Sequence, residues 1–181
     1  MIKKLKEDID AALAEIKQGM LLRVTTAASD TAALVANRVR MTGENAKGAQ
    51  FSPYSRNPMG AWRLIGKSRT GSAEAKVKTA AKEGKLISYA EFRQMNNLRV
   101  DKKNFEFTGE MWQKFNVKSA TLKGKLIEVV VGGTTKDSAF KIQENTDREK
   151  ILITDVSRDE VDLINKTLGD WMAGILTKHI K

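Results

Sequence analysis

Ile2, Leu5, Ile9, Leu13, Ile16 and Met20 recur every three or four residues with Lys and Glu between them, the period of an amphipathic helix. Beyond Gly19 the pattern resumes more loosely through Leu21, Val24, Ala27, Ala28, Leu34, Val35 and Val39. Asp30 can cap a new start or lie on the wet face, so the residues fit one long helix or two. Gly43 supplies the residue that a left-handed helix stop prefers, which predicts an end near Met41 or Thr42. From Gly48 to about Ser88 no period holds. That stretch carries both prolines, several glycines, the run Ser68-Arg69-Thr70-Gly71-Ser72 and the Ala/Lys-rich residues 73–82. It predicts a long loop with room for one short exposed helix, of the kind that is functional or ordered by a partner.

In the second half, Phe105 and Phe107 alternate with polar residues as in a strand, and Thr108-Gly109 breaks it. Met111, Trp112 and Phe115 then have the spacing of one helical turn packed on the core. Residues 122–131, ending at Gly132-Gly133, and residues 138–143 read as antiparallel strands joined by a hairpin over 132–137. Ser157 and Glu160 match a capping box. Val161, Ile164, Leu168, Trp171, Met172, Ile175 and Leu176 follow as the buried stripe of a C-terminal helix. Asp159 and Glu160 sit at its positive end and Lys178 and Lys181 near its negative end, both favourable. The sum is an α+β chain: a long N-terminal amphipathic helix, a small antiparallel β-sheet, a C-terminal helix and a long basic loop insertion. No internal repeat of ~20–50 residues is present.

A length of 181 residues fits one structural domain, 1–181, with residues 45–88 as an extended basic loop or insertion. An apolar share of 41% and a charged share of 30% allow a packed core. There is no apolar run near the ~20 residues of a membrane span and no secretory stretch at the start, so the chain is expected to be cytosolic and away from membranes. The absence of cysteine removes disulfides, thiolate nucleophiles and sulfur-built zinc sites.

Charge changes the picture more. The net charge is +10, and residues 1–100 hold 18 Lys/Arg against 9 Asp/Glu, while residues 101–181 hold 14 against 13. Between residues 45 and 85 the chain has nine basic residues against Glu74 and Glu83. Among them Arg56, Arg63, Lys67, Arg69, Lys76 and Lys78 are candidates for contact with DNA or an acidic protein surface. Trp62 lies among them as a stacking platform or an ordinary plug. No helix-turn-helix, RNA-recognition or zinc-finger signature accompanies the charge.

Catalytic chemistry finds little support. Asp147 with Glu149 fall in a polar turn, and Asp159 with Asp162 on the first turn of a capped helix, neither a setting for acid–base work. Gly66-Lys67-Ser68-Arg69-Thr70-Gly71-Ser72 lacks the first glycine of a phosphate loop and a preceding strand. The lone His179 has no partner spaced as a ligand and is expected to be solvated at a helix end. No enzyme activity and no cofactor or metal is expected. Phe51, Pro53 and Tyr54 are core plugs under a loop or anchors of a subunit interface, with Trp62 and Met111 added as interface candidates. Trp112 and Trp171 are assigned to packing.

The order of landmarks resembles a bacteriophage virion-morphogenesis family, the tail-completion, neck or head–tail connector proteins. Those landmarks are Asn37-Arg38-Val39-Arg40-Met41-Thr42-Gly43, then Gly48-Ala49-Gln50-Phe51-Ser52-Pro53-Tyr54-Ser55, then Tyr89-Ala90-Glu91-Phe92-Arg93. Phe107-Thr108-Gly109-Glu110-Met111 follows, then a strand pair, then residues 140–152 leading into Ser157-Arg158-Asp159-Glu160 and a last helix. The resemblance covers about residues 20–180 and departs between Tyr54 and Tyr89, where this chain is longer and more basic. It implies an α+β core, a homo-oligomeric ring in the virion neck or tail, docking to portal, adaptor or tail proteins, and non-specific contact with packaged DNA. The alternative from charge alone is a basic nucleic-acid-binding accessory protein.

Overall fold

The computed structural model describes residues 2–106 and 108–180. The first helix, α1, runs unbroken over Ile2–Thr42, roughly 60 Å at 1.5 Å per residue. Gly19 does not break it. A Cβ there would lie 2.8 Å from Cζ2 of Trp171, so this glycine is the seat for an indole from the last helix. Gly43 ends α1 in the left-handed region (φ 71°), its N–H donating to the Val39 carbonyl at 3.0 Å. A Cβ at Gly43 would also meet Lys102 Cβ at 2.9 Å, so conformation and close approach both require glycine.

Residues 45–88, expected as a loop, are ordered around a core of their own. β1 (Pro58–Gly60) pairs antiparallel with β2 (Leu86–Ser88), Pro58 opposite Ser88 and Gly60 opposite Leu86. Between them lie one 3-10 turn, Ala61–Leu64, and α2 (Gly71–Lys82), capped by the Thr70 hydroxyl accepting from Ala73 N–H. The helix α3 (Tyr89–Met95) follows directly, with a Ser88/Glu91 capping box. Ala61, Leu64, Val77, Ala80, Ile87 and Phe92 form a buried cluster, flanked by Met59, Tyr89 and Met95. The extended-loop expectation is therefore corrected, although the short helix it allowed over residues 73–82 is present within α2. Its elements are three to twelve residues long, too short for a strong period, and α2 buries mainly alanines, which carry little hydrophobic signal.

The larger core joins the second half of α1 (Ala32, Val35, Ala36, Val39) to Phe51, Met111, Trp112, Phe115 and Ile153. Met111 and Trp112 come from a short helix, α4 (Glu110–Gln113), while Phe115 opens a strand rather than extending that turn. β3 (Phe115–Lys123) and β4 (Leu126–Gly133) form an antiparallel hairpin turning at Gly124 (φ 64°). The expected strand over 122–131 thus contains the turn, and the expected strand over 138–143 is helical. α5 spans Lys136–Glu149 behind a Thr135/Ser138 capping box. The alternation of Phe140 and Ile142 suggested a strand, yet in the helix Ile142 packs on the core and Phe140 is 61% exposed. Asp147 and Glu149 accordingly lie on α5, not in a turn between strands.

The expected strand at Phe105 is also absent. Phe105 takes a left-handed conformation (φ 52°) with its ring edge-on to Phe51 at 4.9 Å, and Phe107 lies outside the described residues. α6 (Arg158–His179) closes the chain behind the Ser157/Glu160 capping box and packs antiparallel along α1. Lys181 also lies outside the described residues. His179 is not merely solvated: its Nε2 is 2.7 Å from Glu15 Oε2, beside Lys178 at 2.9 Å, tying the end of α6 to α1. Hydrogen bonds from His179 and then Lys178 hold the Glu15 carboxyl below its usual range.

Candidate interaction surfaces

The aromatic cluster after α1 proves internal. Phe51, Tyr54 and Met111 are all buried by their own chain, which leaves only Pro53 and Trp62 of the five interface candidates exposed. Tyr54 belongs to a polar knot between the two cores. Its hydroxyl donates to Asn104 Oδ1 (3.0 Å) and accepts from Asn104 N–H (3.3 Å), while its ring lies 3.9 Å from the Arg93 guanidinium. Burial pushes the Tyr54 hydroxyl pKa up, partly offset by Arg93.

Arg93 is 1% exposed and carries no carboxylate partner among the described residues. It donates instead to the carbonyls of Arg99 (3.0 Å) and Glu106 (2.7 Å) and to Asn104 Oδ1 (3.2 Å). Nothing in the spacing of Tyr89-Ala90-Glu91-Phe92-Arg93 announces a buried cation. A mixed cleft of about 360 Å³ opens beside the knot, lined by Tyr54, Tyr89, Lys103, Glu144 and Arg148 among others. In its wall Lys103 Nζ meets Glu149 Oε1 at 2.5 Å. Burial pushes the Glu149 carboxyl up, but Lys103 and the Ser52 hydroxyl and N–H pull it further down, and the result lies below the ordinary value.

A second surface is apolar. The stripe that predicts α1 is present as a helix face but is not covered: Ile2 is 86% exposed, Leu5 47%, Ile9 37% and Leu13 45%. Lys178 and His179 tie the end of α6 to α1 at Glu15, and Ala12 is still buried, whereas Ile2, Leu5 and Ile9 lie in the turns of α1 before it. The hairpin tip adds exposed Leu122 and Leu126, and a groove of about 390 Å³ lies between that tip and Ile16, Met20 and Leu21 of α1. On α6 the expected buried stripe is also partly open, with Val161 and Leu176 exposed.

The third surface is basic. Arg56, Arg63, Lys67, Arg69, Lys76 and Lys78 are all exposed around the unit built on α2, as is Trp62. Among the described residues, Lys78 alone of these six faces a carboxylate, Glu74 at 3.9 Å. The sequence located this charge but not the scaffold that holds it in place.

Among the described residues, no group of three or more His, Cys, Asp or Glu side chains is placed to hold a metal ion, and no helix is long and apolar enough to cross a membrane. No protein-family model, curated protein or solved structure matches this chain.

Proposed function

We propose that this chain is a structural protein of the phage virion, of the neck, connector or tail-completion type, that joins head and tail by packing identical copies into a ring. The observation that carries the proposal is the uncovered apolar stripe Ile2, Leu5, Ile9 and Leu13 on the start of α1. A contiguous exposed apolar surface on a helix marks a contact to be made with another macromolecule. Copies that meet through two different patches close into a ring when the rotation closes. The helix start and the groove beside the hairpin tip are two such patches on one chain. The ordered landmarks from Asn37 to the last helix supply the phage context.

Light scattering coupled to size exclusion tests this. The proposal expects a closed oligomer, and it expects Ile9→Lys combined with Leu13→Lys to give a folded monomer by circular dichroism. A wild-type chain that stays monomeric at every concentration, alone and with portal or tail subunits, contradicts it.

A further inference from the structure

We propose that the unit built on α2 is a binding surface for single-stranded nucleic acid, in which unpaired Arg and Lys side chains take phosphates and Trp62 takes a base. This surface is separate from the apolar stripe on α1, and it does not depend on the ring.

The 3-10 turn Ala61–Leu64 sets the arrangement. Residues three apart share a face of such a turn. Ala61 (1% exposed) and Leu64 (5%) therefore point into the α2 core, and Trp62 and Arg63 point out. The largest apolar side chain of the unit is thus left in solvent, 65% exposed, while an alanine fills the core position beside it. Gly60 keeps the indole close to the backbone: a Cβ there would stand 2.4 Å from Trp62 Nε1. The Arg63 guanidinium lies 5.2 Å from the centre of the ring, so a flat ring and a flat cation are presented together.

The charges around this pair are uncompensated. Residues 56–88 contain eight Lys or Arg and two carboxylates, Glu74 and Glu83. Both carboxylates are already engaged. Glu74 accepts from Gly66 N–H at 2.8 Å and faces Lys78, and Glu83 pairs with Lys85 at 2.6 Å. Arg56, Arg63, Lys67, Arg69, Lys76 and Lys82 meet no carboxylate among the described residues. Elsewhere Arg38, Arg40, Arg99 and Arg148 have an acidic partner, while Arg23, Arg93 and Arg158 meet none among the described residues.

An acidic protein surface would satisfy the charges but leave the indole without an occupant. A single strand satisfies both, because each nucleotide brings one anion and one π-face, and stacking tolerates any base. In a duplex the base faces are already covered by their neighbours. No base-edge reader accompanies the patch, so binding is expected to be independent of sequence and strongly dependent on salt.

The test uses the full chain with a fluorescein-labelled oligo-dT of about 20 nucleotides, read by anisotropy across a salt series. Each neutralised phosphate contributes about 0.7 to the slope of log K against log salt for a single strand, so Arg69→Ser with Lys76→Ser is expected to flatten it by about 1.4. Trp62→Ala is expected to weaken binding roughly ten-fold while leaving the slope unchanged. Three results would overturn the proposal: no binding at about 50 mM salt, a Trp62→Ala chain that binds as well as wild type, or tighter binding to polyglutamate than to oligo-dT. Equal affinity for a duplex of the same length would refute the single-strand assignment. Because the readout is made on the chain in whatever assembly it adopts, failure here leaves the oligomer proposal standing, and failure of the oligomer leaves this one standing.

Discussion

Replacing Arg38 by alanine is expected to cost the fold about 3 kcal/mol, the lower end of the range for stranding one partner of a buried ion pair. Arg38 projects from α1 into the junction of three segments. Its Nε donates to Glu160 Oε1 at 3.0 Å, Nη1 to the Glu44 carbonyl at 2.7 Å and Nη2 to the Asp155 carbonyl at 2.7 Å. One side chain thus fastens the loop after α1 and the approach to α6 to the last turns of the long helix. The side chains of Arg38 and Glu160 are 15% and 9% exposed, which places the pair well away from bulk water without isolating it. The lower end of the range follows from that residual access. For a chain of this size about 3 kcal/mol corresponds to a fall in Tm of roughly 6–12 °C.

The pH dependence carries a definite sign. Burial pushes the Glu160 carboxyl up, but Arg38 and the Ser157 N–H pull it further down, and it ends below the ordinary value. A carboxyl depressed in the folded state contributes fully above its unfolded pKa of about 4.3 and loses that contribution as pH falls through the lower folded value. The gap between wild type and Arg38→Ala is therefore full at neutral pH and narrows only in acid. Thermal melts by circular dichroism at neutral pH and at about pH 3, with Glu160→Gln and the double variant, measure this. The double variant should be less destabilised than the sum of the singles. Strict additivity, or a gap unchanged by acid, would refute the coupling.

Gly133→Ala should lower stability by about 2–3 kcal/mol, because the new Cβ would fall 2.4 Å from the Ala139 N and 2.7 Å from the Ser138 carbonyl carbon, and backbone must move to admit it; urea unfolding checks this. Tyr54→Phe should cost about 1–2 kcal/mol by the same assay, since it leaves the buried Asn104 N–H without an acceptor. Gly19→Val should loosen α6 from α1 by driving a side chain into the Trp171 ring, seen as a red shift of tryptophan emission and faster amide exchange in α6.

Elements with a strong period or an explicit cap were legible in the sequence. α1 shows six apolar residues at helical spacing and a glycine stop, and α6 shows Ser157 three residues before Glu160. The hairpin was displaced because Lys123-Gly124-Lys125 interrupts an apolar run without a proline or an Asn-Gly pair to mark the turn. α5 was misassigned because two alternating apolar residues, Phe140 and Ile142, imitate a strand. The α2 unit was hidden for a different reason. Its core is assembled from six residues spread over 61–92, so no local window contains it. The basic candidates and Trp62 are exposed, but Phe51, Tyr54 and Met111 turned inward. An aromatic beside a glycine has the same local signature in a core as at an interface. Arg93 gave no signal at all, because its partners are carbonyls brought in by residues 99–106.

Mass determination by light scattering of the wild-type chain beside Ile9→Lys/Leu13→Lys, with negative-stain images of both, bears most directly on a ring-forming role. Closed rings of one size for the wild type and a folded monomer for the variant are the expected result. A wild-type monomer that engages neither itself nor portal or tail subunits, or rings that survive both lysines unchanged, would contradict it.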